Sequence, residues 1–338
     1  MNNNKDKILL AHGGGGSRSA ELTQRLFQRY LRDPLLLEME DAARLPGAPG
    51  VPGTVFTTDS FVVRPLFFPG GDIGRLAVCG TVNDLAVMGA EPLYLSIAFI
   101  IEEGFPFAGL ERILASIARA CRESGARIVC ADTKVVERGK ADGLFINTSG
   151  IGRLAFARPV VASRPRPGDV VLINGPLGLH GISVLTARGE FGLKARIRSD
   201  VAPLWGLVSG CRALDVPFMR DPTRGGLAQT LNELVLGKKF GLRLEEASLP
   251  IPKNVAAVCD LLGFDPLHVA NEGKVVMVVA AADAEKALRA LRRHPLGRGA
   301  RRIGAITREN AGRVTMATRT GSERNVMPPA GEILPRIC

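Results

Sequence analysis

The chain has 338 residues, 46% of them hydrophobic and 23% charged, with a formal charge of +11. That balance excludes a disordered, collagenous or coiled-coil protein, and the length is that of two domains or one large one. No apolar h-region follows the opening MNNNKDKILL and no apolar run reaches membrane-spanning length, so a cytoplasmic chain with no membrane partner is expected.

In chain order, His12, Gly13, Gly14, Gly15, Gly16 and Ser17 precede a helical pattern beginning near Arg18. This is the composition of a phosphate cradle at a helix N-terminus, or of a flexible leader. Residues 55–63 read as a strand, 71–89 as a helix closed by glycine, and 93–101 as a second strand. Over 107–123, Leu110, Ile113, Leu114, Ile117, Ala118 and Cys121 recur on one helical face. Strands follow at 126–131 and 144–150. The segment 153–169, with Pro159, Pro165 and Pro167, reads as a linker, because proline and the residue before it resist helix.

A second alternating half has strands at 170–174, 274–280 and 301–306 and helices at 179–188, 204–214, 225–236 and 255–262. From Met327 through Pro328, Pro329, Gly331 and Pro335 the chain cannot form a helix and is expected to lie extended. Its last eight residues then span up to about 26–29 Å, enough to carry Cys338 to a distant pocket. The organisation is thus a glycine-rich leader with a first helix over 1–40, an α/β domain over 41–155, an α+β domain over 165–325 and a tail over 326–338.

The cysteines at 79, 121, 130, 211, 259 and 338 form no C-x-x-C pair, which disfavours a zinc ribbon or a thioredoxin-type site and fits reduced thiols. Five lie in apolar or helical stretches and are expected as small buried hydrophobes; Cys338 is the last residue of the chain. The positive charge concentrates over 284–308, where Lys286, Arg289, Arg292, Arg293, Arg298, Arg301, Arg302 and Arg308 face Glu285. Ala284, Ala287, Leu288 and Leu291 form the buried stripe of a helix there, so the basic residues form a solvated face or a docking patch for an acidic partner. With one Trp and two Tyr, the chain lacks a stacking platform for single strands, and no nucleic-acid partner is expected.

Asp59, Asp84, Asp132 and Asp221 stand beside small residues at element boundaries. Acids distributed in this way suit Mg²⁺, which takes a few carboxylates and completes its shell with phosphate oxygens and water, although each alone is an ordinary cap or turn residue. Asp84 stands out because it falls inside a helical pattern. Asp221, Thr223, Arg224, Gly225 and Gly226 combine an acid, a hydroxyl, a guanidinium and two glycines just before a helix, the composition of a loop gripping an anion. In Asn271-Glu272-Gly273-Lys274 an acid sits in a turn before an apolar strand, the place for a general base. The absence of G-x-x-x-x-G-K-[ST] excludes a Walker-type NTPase.

These residues fall in HGGGG (12–16), FTTDS (56–60), PLFFPGGDIG (65–74), NDLAVMGA (83–90), DTKVVERG (132–139), RDPTRGG (220–226), ANEGK (270–274) and the terminal PRIC (335–338). With them the chain resembles, over nearly its whole length, the HypE family of carbamoyl dehydratases. That family helps make the cyanide ligands of nickel–iron hydrogenases and falls in the superfamily of AIR synthetase (PurM) and selenophosphate synthetase. The resemblance implies a two-domain PurM-like fold, α/β and α+β, whose amino-terminal sheets pair in a homodimer. It implies ATP and Mg²⁺ as cofactors, and as partners a HypF-type carbamoyltransferase and a HypC–HypD complex. Cys338 would receive a carbamoyl group, and ATP-driven dehydration would turn it into a thiocyanate. Glu272 is then the expected base, Lys134 the cation and His12 a proton carrier or phosphate contact. Asp59, Asp84 and Asp221 would hold the metal, with Gly13, Gly14, Gly15, Gly16, Asn83, Asp132, Thr223, Arg224, Gly225 and Gly226 on the nucleotide. The alternative is another PurM-like synthetase or kinase such as selenophosphate synthetase. Its pattern calls for a reactive Cys or selenocysteine with a Lys in the glycine loop, and neither stands between His12 and Ser17.

Overall fold

The structure is a computed structural model and describes residues 8, 17–31, 33–47, 53–189, 192, 196–329, 331 and 334–338. His12 and Gly13, Gly14, Gly15 and Gly16, expected at the phosphates, lie outside these residues. Three short helical pieces, α1 (Ser17–Leu22), α2 (Gln28–Tyr30) and α3 (Pro34–Leu37), lead into the first sheet. That half comprises β1 (Ala43–Leu45), β2 (Thr54–Phe61), β3 (Phe67–Phe68), β4 (Gly71–Asp72), α4 (Ile73–Val87), β5 (Ala90–Glu102), α5 (Phe107–Ser124), β6 (Arg127–Val136) and β7 (Leu144–Leu154). Its sheet runs β1-β2-β7-β5-β6, antiparallel except for β5 and β6.

Helix α4 starts where the Asp72 side chain accepts the Arg75 N–H at 2.9 Å and stops at Gly89, whose φ of 76° ends the helical run. It is buried along nearly its whole length, lying between the sheet, α5 and the second half of the chain. Small residues permit this: a Cβ at Gly74 would stand 2.8 Å from the Ile113 carbonyl oxygen. Helix α5 covers the same side of the sheet with Ile113, Ile117 and Ala120. The other face of the sheet is open, and Phe56, Tyr94, Ile100 and Ile151 lie exposed on it.

The second half contains β8 (Val170–Ile173), α6 (Leu179–Arg188), α7 (Trp205–Val208), β9 (Phe218–Arg220), α8 (Gly226–Val235), β10 (Gly241–Glu245), α9 (Lys253–Leu262), β11 (Val276–Val279), α10 (Ala284–Arg293), β12 (Arg301–Thr307), β13 (Val314–Ala317) and β14 (Glu323–Asn325). Its sheet runs β14-β13-β10-β12-β8-β11-β9, with β10 and β13 the one parallel pair among the described strands of this sheet. Strands β8 and β11 are buried throughout, with one core under α8 and another under α7 and α10, so this sheet is covered on both faces. Among the described residues no helix is long and apolar enough to cross a membrane.

Several expectations are corrected. The strand expected at 126–131 runs on to Val136, so Asp132 and Lys134 lie in an edge strand rather than at a boundary. The helix expected over 204–214 shortens to α7 and a 3₁₀ turn at Ser209–Cys211. Cys130 is exposed and Cys121 half-buried, so of the five cysteines expected inside only Cys79, Cys211 and Cys259 are fully buried. The tail is not simply extended: Pro335 and Arg336 form a turn, Arg336 has φ 53°, and Leu334 and Ile337 are buried. On α10 the expected stripe of Ala284, Ala287, Leu288 and Leu291 is buried beneath exposed arginines.

Candidate functional site

A cavity of about 220 Å³ opens where α4, β2 and the loop after β9 meet. Asp59, Asp84 and Asp221 line it together, with Asp41 beside them. Burial, then Asp221, Asp59 and Asp41, hold the Asp84 carboxyl well above the usual carboxylate range, against the Thr57 hydroxyl that donates to it at 2.8 Å. Burial and the neighbouring Asp41 push Asp221 up to about 8, and burial raises Asp59 against the opposing pull of Arg224. Hard oxygen donors crowded until they resist ionising are what a divalent cation relieves. Among the described residues no three acidic, His or Cys side chains converge into a ready-made cage. The chemistry of the donors fits Mg²⁺, which takes a few carboxylates and fills its shell with phosphate oxygens and water.

Thr223, Arg224, Glu272 and Cys338 line the same cavity. Glu272 is 2% exposed, and burial, Asp221, Asp200 and Asp59 keep it well above the usual range while Arg224 opposes them. The charge of Cys338, ahead of Asp59 and Glu272, raises the Arg224 guanidinium against its own burial. Cys338 is brought here by the tail: its backbone oxygen accepts the Val62 N–H at 3.1 Å, and the Arg336 carbonyl accepts the Arg64 N–H at 3.2 Å. The Arg336 side chain donates to Asp142 at 2.5 Å and to the Val62 carbonyl at 3.0 Å.

Other expected residues lie elsewhere. Asn83 was read as a nucleotide contact, but it is fully buried and its amide is spent on backbone: it donates to the Ala202 and Glu272 carbonyls at 3.1 and 3.3 Å and accepts the Leu204 N–H at 2.8 Å. It clips α4 to the loop carrying Glu272. Gly225 and Gly226 sit at the start of α8 with φ of 75° and 61°; a Cβ at Gly226 would stand 2.5 Å from the Leu267 carbonyl oxygen, so they shape the loop. Asp132 and Lys134 pair with each other at 3.1 Å on exposed β6, outside the cavity of their own chain. They face the open side of the sheet, in register with Ala98 and Ile100.

The sequence reading missed Asp41, Thr57, His180 and Asp200. Asp41 lay hidden in the acidic run Glu38-Met39-Glu40-Asp41, and Arg220, 2.9 Å away in the second half, gives it a place. The signal for His180 was a lone histidine in an apolar helix.

Residues 39–154 match the family described as AIR synthase related protein, N-terminal domain, and 166–317 its C-terminal counterpart. The carbamoyl dehydratase HypE of Cupriavidus necator is 48% identical over 340 residues, covering 100% of this chain and 97% of the relative. The chain belongs to the HypE family of carbamoyl dehydratases. A HypE in a crystal structure of a HypE–HypF complex aligns with a TM-score of 0.86 at 47% identity, over 91% of this chain and 99% of that one. A hydrogenase maturation HypE solved with ATP aligns with a TM-score of 0.81 at 43% identity, over 98% and 100%. HypE relatives at this identity over the full length decide against selenophosphate synthetase.

Proposed function

We propose that this HypE-family chain dehydrates a carboxamide carried on the sulfur of its own Cys338, with ATP as the activating co-substrate. The observation that carries this reading is that the last residue of the chain lies in an acid-lined cavity with Arg224 and Glu272. The thiol first takes a carbamoyl group from a HypF-type carbamoyltransferase. The carboxamide oxygen attacks the γ-phosphorus of ATP, releasing ADP, and one N–H proton is lost, leaving an imidate phosphate. Removal of the second N–H proton expels phosphate and forms the C≡N bond of the thiocyanate. In sum, RSCONH₂ and ATP give RSCN, ADP, phosphate and a proton.

Glu272 is the base: its raised proton affinity makes it a stronger proton acceptor than an ordinary carboxylate. Arg224 is the cation beside the reacting group, and Thr223 is a phosphate contact at the mouth of the loop. Asp59, Asp84 and Asp221 would hold Mg²⁺, which supplies charge neutralisation on the phosphates when bound. His12 and the glycine run remain candidates for the phosphates.

A role for Asp132 and Lys134 needs a second copy of the chain, since both stand outside their own cavity on the open sheet face. We propose a homodimer through that face, whose exposed Phe56, Tyr94, Ile100 and Ile151 give it an apolar motive. Mixing a Lys134→Ala chain with a Cys338→Ala chain should then restore part of the turnover each lacks; no restoration would sink the shared site. Delivery of the nitrile to a HypC–HypD complex and a cytoplasmic location, where a carrier thiol stays reduced, complete the proposal.

The central test is Cys338→Ala, expected to abolish carbamoyl and cyanide adducts in mass spectra while ATP still binds. An adduct on any other cysteine would overturn the reading. Deleting residues 336–338 is a poorer test, because it also removes buried Ile337 and the Arg336–Asp142 pair.

A further inference from the structure

Two backbone oxygens of the tail, those of Arg336 and Cys338, face the 62–64 segment and accept its N–H groups. In a ladder of this kind the carbonyl between them points the other way, here towards the second half of the molecule. There Ile337 meets His180 on α6, a fully buried imidazole whose Nε2 lies 2.8 Å from the Ile337 carbonyl oxygen. A carbonyl only accepts, so Nε2 carries the proton. Nδ1, 2.8 Å from the Ser199 Oγ, then accepts the hydroxyl proton, and that same oxygen accepts the Val201 N–H at 3.1 Å. The tautomer is fixed from both sides. The Phe68 ring, edge-on at 5.4 Å between centroids, fixes the plane.

The seat is joined to the base. Asp200, next to Ser199, accepts the Glu272 and Gly273 N–H groups at 3.3 Å and the Lys274 ammonium at 2.9 Å. A Cβ at Gly273 would stand 1.9 Å from the Asp200 carbonyl oxygen, so the two segments run in direct backbone contact. One short stretch therefore holds both the imidazole that grips the tail and the peptide groups that place Glu272.

We propose that His180 is a positioning residue for the dehydration: its Nε2–H grips the Ile337 carbonyl and so fixes where the Cys338 sulfur sits relative to Glu272. The proposal rests on Cys338 as carrier. Proton removal needs the carboxamide within about 3 Å of the base, and a displacement of about 1 Å costs on the order of 100-fold in rate. The His180 contact adds one neutral hydrogen bond, worth about 1 kcal/mol net, to those that Val62, Arg64, Arg188 and Asp142 make with the tail.

The experiment uses the full-length chain. Alkylation of unloaded Cys338 by iodoacetamide, read on the carboxy-terminal peptide by mass spectrometry, reports the seat without any catalysis. His180→Phe, which keeps the ring and loses the donor, should raise that rate about 10-fold. His180→Gln, whose amide N–H can reach the same carbonyl, should stay within about 3-fold of the unsubstituted chain. After carbamoylation by the transferase, single-turnover conversion to thiocyanate should slow about 100-fold in His180→Phe and recover in His180→Gln, with loading no slower. Ser199→Ala, which leaves the ring in place, should move both rates in the same direction by a smaller factor and serves if His180→Phe does not fold. Unchanged alkylation in folded His180→Phe, or faster alkylation with undiminished conversion, would overturn the proposal; so would a His180→Gln chain as slow as His180→Phe. Should His180 substitution unmask the thiol while even the unsubstituted chain forms no carbamoyl adduct, the seat stands and the carrier reading fails.

Discussion

Asp200 and Asp221 are both buried, yet their surroundings differ in one respect. Burial works to raise Asp200, but Lys274 at 2.9 Å and the backbone N–H groups of the Glu272 loop outweigh it and hold the carboxyl below its usual value. Asp221 meets the same burial with Asp41 and Asp59 as neighbours, and is pushed up to about 8. Its own backbone N–H and Arg220 pull the other way but do not offset this. One aspartate is part of the scaffold and completed by it. The other is left incomplete, and incompleteness in a cavity marks a place for a ligand.

The largest expected effect comes from making the first aspartate resemble the second. Lys274→Met strands Asp200 as a buried anion and should cost about 3–5 kcal/mol in denaturant unfolding. A loss below about 1 kcal/mol would show that the backbone N–H groups alone complete it.

Asp221→Asn should do the reverse, abolishing turnover while stabilising the ligand-free protein. The sign follows from the raised folded value. Below the unfolded pKa of 3.8 the group is protonated in both states and costs nothing; between about 4 and 8 the unfolded chain sheds a proton that the folded chain keeps. The native Asp221 thus removes stability as pH rises, at most about 1.4 kcal/mol per pH unit. Melting temperatures should show the Asn substitution helping more at pH 8 than at pH 5, and a difference that is flat with pH would refute the raised value. For Asp200 the sign is opposite, with its contribution present above 3.8 and lost as pH falls through its lowered folded value.

Thr57→Val should act least. It removes the hydroxyl that donates to Asp84 at 2.8 Å, so about 1 kcal/mol of stability and a severalfold weakening of Mg²⁺-dependent ATP binding are expected. Calorimetry with and without Mg²⁺ separates the two, and an unchanged metal dependence would leave the hydroxyl a purely structural role.

What the sequence disclosed follows from how each signal is encoded. Helix α5 was legible because it has one wet face, so Ile113 and Ile117 fall on the helical period; the C-terminal end of α4 was legible from Gly89. Strand β14 was not, since Glu323–Asn325 is exposed throughout and has no alternation to read. The end of β6 was misread because polar Asp132 and Lys134 resemble a boundary, whereas an edge strand tolerates them on an open face. Asp59, Asp84, Asp221, Arg224, Glu272 and Cys338 were singled out through motifs. His180, Asp200 and Asp41 were not, because their partners, Ile337, Lys274 and Arg220, stand 157, 74 and 179 residues away and become neighbours only in the folded chain.

The two halves are held like crossed arms. Glu40 and Asp41, ahead of the first sheet, grip Ala162 and Arg220, and Arg44 reaches the Val160 carbonyl at 2.8 Å. From the far end of the chain, 336–338 lies against Val62, Arg64 and Asp142 of the opposite half. A single protease nick between the two sheets, at 155–169, would therefore leave two fragments still clasping one another. The cavity between them would remain intact after the peptide bond that once joined them had gone.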